Sequence, residues 1–369
     1  MKILILHHCD SWGGAGVSLR DSCRMLTGEH DVTVCLPHLH TEVDKELNKI
    51  DGIKTVAIDA DMGMISAYNG GPNIFTCTFV RNLLRIRDSG ARLSGILKSG
   101  YDVVILNSIT LAWAARISKQ SGAKTVMYIR ETKINNVAYH YCRSLINKHC
   151  DGVLFISEFD KRITALKVKN QAVVRDCIEL DKYDIKSTKE DACVKFGIKK
   201  DKFNLLYVGG TDELKGHSVI VAAMSKIDCP NIQLIAAGGG AESKRANAEN
   251  ITYLGKVFDM PMLYRACDAL VFPSTKGHQA RPAFEAGALG LPVIMSDFPE
   301  TADEVRNGEN GLTFKPSDSE ELKSKILELY NSPELYRVLG ERNCENTRIR
   351  HAYDSVCCDF LNFLNSITR

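Results

Sequence analysis

Residues 269–295 read ALVFPSTKGHQARPAFEAGALGLPVIM. The apolar run 269–272 has the length of a buried strand and stops at Pro273-Ser274; a second apolar run, 292–295, follows Gly290-Leu291. Between them lie a polar loop, Lys276-Gly277-His278-Gln279-Ala280-Arg281, and a helical segment expected to open at Glu285. Strand, helix and strand in that order make a crossover unit, which joins parallel strands of one sheet.

The same alternation extends outward from this unit. Further strands are expected over 204–208, 233–236, 251–254 and 311–314. An earlier series occupies 2–6, 32–36, 54–58, 103–106, 125–129 and 152–156, with helices over 17–26, 79–98, 111–120 and 157–167. The last of these starts behind a Ser157 cap with Asp160 three residues on. Between the two series, the stretch 182–202 (KYDIKSTKEDACVKFGIKKDK) is charge-rich and weakly apolar, as a boundary between domains is. The expected fold is α/β: two Rossmann-like, doubly wound domains facing a central cleft. They are residues 1–183 and 184–351, with an amphipathic helix over about 352–369 packing back on the first.

A length of 369 residues exceeds what one core fills, which agrees with two domains. Lys and Arg number 47 against 45 Asp and Glu, too balanced for a chain steered to nucleic acid by a global positive field. Thirteen cysteines without a CxxC pair or regular spacing suggest reduced thiols in the cytoplasm. The opening run 2–6 reads as a strand and not a secretion signal, and no apolar stretch is long enough to span a bilayer. His38, His40 and Glu42 lack a third partner at metal spacing, and Asp59-Ala60-Asp61 is too short a pattern to assign a cation site, so no metal is expected.

Two glycine loops follow strands. Gly13-Gly14-Ala15-Gly16 would place main-chain N–H groups at a helix N-terminus, a setting for anions or hydroxyl-rich ligands. A dinucleotide fingerprint fails, since Leu19 stands where a third glycine is needed and Pro37-His38 where an acidic residue is needed. A plain tight turn remains open as a reading. Gly209-Gly210-Thr211-Asp212-Glu213-Leu214-Lys215-Gly216 is not a Walker A loop, but its lysine is placed to meet a diphosphate.

The segment from Ala269 to Ile294 resembles the signature of glycosyltransferase family 4. The resemblance extends to the first glycine loop, Asn107-Ser108, Arg130-Glu131, Ser157-Glu158, the Gly209-to-Lys215 loop, Gly238-Gly239-Gly240 and Asn310-Gly311-Leu312. It implies a GT-B fold with the donor held by the second domain and the acceptor by the first. Carried onto this chain, it implies a donor site of Gly14, Gly16, Gly209, Gly210, Lys215, Gly239, Val257, His278, Gln279, Ala280, Arg281 and Glu285. Asn107, Arg130 and Glu131 would bind acceptor; Lys215, Arg281 and Arg130 would carry the catalytic charge. Glu285 would accept hydrogen bonds from the ribose hydroxyls of a UDP- or GDP-sugar. The acceptor would be a saccharide or a lipid-linked saccharide in surface-polysaccharide synthesis, and transfer would retain the anomeric configuration without a metal or other cofactor.

Three departures qualify the likeness. Gly277 stands where the family carries the first of two glutamates, Gly210 where an arginine often follows the phosphate-loop glycine, and Arg130 where many relatives have a histidine. Either His278, Gln279 and Arg281 take over the contacts to sugar and phosphate, or Arg281 only pairs with a surface carboxylate, or the site binds without turnover. A sugar-nucleotide epimerase of the same architecture and a two-lobed binding protein are the rival classes. Arg81, Arg85, Arg87, Arg92 and Lys98 follow an apolar loop with Met62, Met64, Ile65, Ile74 and Phe75, which suits either a solvated helix face or contact with an anionic membrane.

Overall fold

The apolar runs become strands of two all-parallel sheets in the computed structural model, which describes residues 1–65, 77–132, 136–239, 250–277 and 279–368, with side chains of 77–79 excepted. The chain divides into two compact units, Met1–Cys177 with Val356–Arg369, and Ile178–Ser355.

In the first unit, β1 (Lys2–Leu6), β2 (Asp31–Leu36), β3 (Ile53–Ala57), β4 (Val103–Leu106), β5 (Lys124–Ile129), β6 (Gly152–Phe155) and β7 (Asn170–Val173) form a sheet in the order β3-β2-β1-β4-β5-β6-β7. In the second, β8 (Phe203–Val208), β9 (Ile232–Ala237), β10 (Ile251–Gly255), β11 (Ala269–Phe272), β12 (Val293–Ser296) and β13 (Leu312–Phe314) run in the order β10-β9-β8-β11-β12-β13. Strand order reverses between β1 and β4 and again between β8 and β11. Each reversal opens a crevice at the carboxyl ends of the strands, where ligands of doubly wound sheets bind.

The strands are apolar on both faces because helices cover both; Ile3, Leu4, Ile5 and Leu6 of β1 are all buried. The C-terminal helix Tyr353–Thr368 packs within the first unit, where a Cβ on Gly152 would meet the Phe363 ring at 2.6 Å and Phe360 lies edge-on to Tyr128 at 6.0 Å.

Several elements differ from expectation. The stretch 182–202 is no bare connector: Thr188 and Asp191 form a capping box that starts a helix, Lys189–Phe196, whose Ala192 and Cys193 are buried. The helix expected over 111–120 begins as a 3-10 turn, Ile109–Ala114. Strand β7 was not expected; its sequence Asn-Gln-Ala-Val is polar, as an edge strand allows. Finally, the helix of the signature segment runs from Arg281 to Ala288, so Glu285 lies in its second turn and does not open it. Pro282 explains the earlier start, since proline has no N–H to lose in a first turn.

Candidate functional site

In the second unit, the loops leaving β8 and β11 are bolted together. Asp212 caps the 3-10 turn Glu213–Lys215 by accepting from Leu214 N at 2.8 Å. Thr275 N and Ser274 Oγ both donate to the Leu214 carbonyl, at 3.1 and 3.0 Å. Gly216 has φ +83°, and a Cβ there would sit 1.7 Å from the Pro273 carbonyl, so only glycine fits. Lys215 is half-buried in this corner, and burial lowers its pKa against the opposing pull of Asp212.

The glycines of this crevice serve close main-chain approach. Gly209 N and Gly210 N both donate to Ala237 O at 2.9 Å, and Gly238 N donates to Gly255 O at 2.8 Å. Gly210 has φ +58°, and a Cβ there would lie 2.8 Å from the main chain of Gly238 and Gly239. An arginine cannot occupy this position without moving backbone, which accounts for one departure from the family pattern. Gly239 also has positive φ, +81°. Val257, half-buried, follows Gly255 and adjoins Phe258, which is 82% exposed with Lys256 over its ring.

Helix Arg281–Ala288 carries the polar cluster of the second crevice. Arg281 Nε donates to Glu285 Oε1 at 2.9 Å and Tyr264 OH donates to Glu285 Oε2 at 3.0 Å. Burial, then the Glu285 charge, raises the Tyr264 pKa well above its ordinary value, so it stays a donor. The partner of Arg281 is thus a half-buried carboxylate of its own helix and not a surface one. Ala280 is buried at the helix N-cap. Gln279 buries Nε2 without a hydrogen-bond partner among the described residues. His278 lies outside the described residues.

Gly277 is occupied in another sense. A Cβ on it would fall 2.4 Å from Cδ and Oε2 of Glu300, a residue in the loop after β12 that the sequence did not single out.

In the first unit, Asn107 and Arg130 meet at the tips of β4 and β5. Arg130 Nε donates to Asn107 Oδ1 at 2.7 Å, Nη1 to Asp176 Oδ1 at 2.8 Å and Nη2 to Ser22 Oγ at 2.8 Å, and its guanidinium stacks 3.9 Å over Tyr128. Its charge is therefore balanced within the unit by Asp176. Asn107 Nδ2 lies 3.1 Å from His7 Nδ1. The Glu131 carboxylate accepts from Ser108 Oγ and from Ile109 N, fixing the turn after β4. His8, two residues past β1, was not singled out either; among the described residues its buried Nδ1 has no partner, and burial lowers its pKa while Glu131 opposes. A Cβ on Gly13 or Gly14 would meet nothing within 4 Å, so the start of helix Gly14–Thr27 is open, whereas a Cβ on Gly16 would fall 2.8 Å from the Trp12 ring.

Among the described residues no three His, Cys, Asp or Glu side chains are grouped to hold a metal ion. His38 pairs with Asp10 at 2.8 Å and Asp61 with Arg85 at 2.7 Å.

Two parallel Rossmann-like sheets with these switch points define the fold of the GT-B glycosyltransferases. The crystal structure of Anabaena Alr3699/HepE in complex with UDP and glucose matches it with a TM-score of 0.81 at 17% identity, over 99% of this chain and 100% of that one. More narrowly, residues 188–345, which hold Lys215, Arg281 and Glu285, match the family model described as Glycosyl transferases group 1. EpsD of Bacillus subtilis (strain 168), which bears a glycosyltransferase name, is 29% identical over 157 residues, 40% of this chain and 41% of EpsD. The capsular polysaccharide biosynthesis glycosyltransferase CapM of Staphylococcus aureus is 25% identical over 167 residues, 42% of this chain and 43% of CapM. The matches span less than half the length of these two relatives.

Proposed function

We propose that the chain is a retaining glycosyltransferase that moves a sugar from a UDP- or GDP-sugar to a saccharide or lipid-linked saccharide, in surface-polysaccharide synthesis at the cytoplasmic side of the membrane. The observation that carries this reading is the second crevice, where the Lys215 turn is bonded directly to the loop that leads into the Arg281–Glu285 helix. The UDP and glucose in the HepE crystal structure and the capsular role in the name of CapM support the substrate class.

In this reading each oxygen of Glu285 keeps acceptor capacity beyond its bond to Arg281 or Tyr264, and receives a ribose hydroxyl. Lys215, with Arg281, neutralises the diphosphate as the sugar–phosphate bond breaks. The acceptor oxygen bonds to the anomeric carbon on the face that the diphosphate leaves, and its proton passes to the departing phosphate oxygen. No side-chain base and no metal or cofactor is required. In the first unit, Arg130 holds Asn107 and Glu131 holds the β4 turn toward acceptor or sugar.

Incubation with UDP-, GDP- and CMP-sugars in the presence of EDTA tests the reading. Nucleotide release stimulated by a saccharide acceptor is expected, and Lys215→Ala and Glu285→Ala should each lower turnover by about 100-fold or more. Binding without release sinks the enzyme reading, release of a rearranged sugar nucleotide points to an epimerase, and near-normal turnover in both variants refutes the residue roles.

A further inference from the structure

Position 277 lacks a side chain, yet the space beside it is filled. The carboxylate of Glu300 reaches in from the loop after β12, with Cδ and Oε2 2.4 Å and Oε1 2.8 Å from where a Cβ on Gly277 would be. A glutamate side chain at 277 and the present position of Glu300 therefore exclude each other. Oε2 of Glu300 is buried and has no hydrogen-bond partner among the described residues. From the same loop as Gly277, Gln279 buries Nε2, also without a partner among the described residues.

A buried polar atom left without a bond bears its full desolvation penalty. One such atom is an acceptor on Glu300 beside Gly277, the other a donor on Gln279, two residues along the loop from Gly277 and two before Arg281, and a ligand with both kinds of group would satisfy both. A carboxylate repels phosphate and accepts from hydroxyls, and an amide N–H donates to their oxygens. That complementarity fits a neutral polyol, whereas the cations Lys215 and Arg281 fit the diphosphate.

We propose that Glu300 supplies, from a different loop, the carboxylate that position 277 lacks, and that it accepts hydrogen bonds from the hydroxyls of the transferred sugar while Gln279 donates to one of them. This rests on the donor-site reading above. Glu300 is then a specificity-determining residue: it acts on the sugar and leaves the nucleotide's contacts at Lys215 and Glu285 untouched.

The test compares binding of UDP and GDP with binding of UDP-glucose, UDP-N-acetylglucosamine and GDP-mannose, in the wild-type chain and in Glu300→Gln, Glu300→Ala, Gly277→Glu and Gly277→Glu/Glu300→Ala. The expected result is a Glu300→Gln variant whose affinity for the bare nucleoside diphosphate changes less than about twofold and whose affinity for the preferred sugar nucleotide falls about tenfold or more. Moving the carboxylate back in Gly277→Glu/Glu300→Ala should recover much of that loss relative to Glu300→Ala, and Gly277→Glu with Glu300 retained should not bind better than wild type. Thermal unfolding of Glu300→Gln, which is nearly isosteric, separates loss of contact from loss of fold. An unchanged ratio of sugar-nucleotide to nucleotide affinity in Glu300→Gln, on a chain that binds nucleotide, overturns the role of Glu300 alone. A wild-type chain that binds none of the five ligands overturns the donor-site reading and this inference with it.

Discussion

Lys215 sits where its ammonium is partly stripped of water, and that lowers its pKa from the ordinary 10.5 while Asp212 opposes. A lysine with a lowered pKa loses its charge earlier as pH rises. If its charge neutralises the leaving diphosphate, kcat/KM should decline on an alkaline limb below that of a free lysine. Lys215→Arg should push that limb upward, since guanidinium stays protonated, at some loss of rate from altered geometry; a pH profile of kcat/KM for both chains checks it. An alkaline limb that does not move rules out Lys215 as its source. Lys215, Arg281 and Glu285 were readable as chemistry because each is a side chain in a recognisable motif. Glu300 was not, because it lies outside every motif and its closeness to Gly277 appears only in the fold. The absence of arginine at 210 was visible in the sequence, but its cause, main chain of Gly238 and Gly239 2.8 Å from where a Cβ would sit, is a long-range packing fact.

The helix that bears Glu285 is held from behind by the helix Pro333–His351. Asn343 Nδ2 donates to Leu291 O at 2.9 Å, and His351 stacks on Phe284 at 4.0 Å while bonding Glu304 at 2.8 Å. Gly287, two residues past Glu285, faces this support: a Cβ there would lie 2.1 Å from Thr347 Oγ1 and 2.9 Å from Asn343 O. Gly287→Ala would gain up to about 1 kcal/mol of helix propensity, but overpacking costs about 1–3 kcal/mol, so the clash should win. The expected outcome is a lower unfolding temperature together with weaker nucleotide binding, because a shift of this helix away from its support carries Glu285 with it; a variant as stable as wild type with unchanged affinity refutes the support. Elements of both units were legible where apolar periodicity is strong, as in β11. They were missed where local chemistry works against the pattern, as in the polar edge strand β7 and the charged but capped helix Lys189–Phe196.

Across the whole molecule the two parallel sheets follow from the alternation of apolar runs with amphipathic ones, and the nearly balanced charge excludes a global field, so any contact with an anionic surface must be local. The helix Cys77–Leu97 offers such a place. Val80, Leu83 and Leu84 are exposed beside exposed Arg81, Arg85 and Arg87, although Arg85 also pairs with Asp61 and Arg92 with Asp88. Apolar side chains that insert and cations worth about 1 kcal/mol each near a negative surface together make a reversible anchor. The chain should therefore sediment with vesicles containing about a third phosphatidylglycerol or phosphatidylserine and not with neutral ones. Because exposed charges are screened over about 10 Å at 0.1 M salt, raising the salt should weaken binding. Arg81→Glu/Arg87→Glu should abolish it, and Leu84→Ser should weaken it at every salt concentration. Neither substitution touches the Arg281–Glu285 cluster, so transfer to a water-soluble acceptor should persist in both variants, and transfer to a vesicle-embedded lipid-linked acceptor should fall. Equal sedimentation of the wild-type chain with neutral and anionic vesicles assigns this helix to solvent.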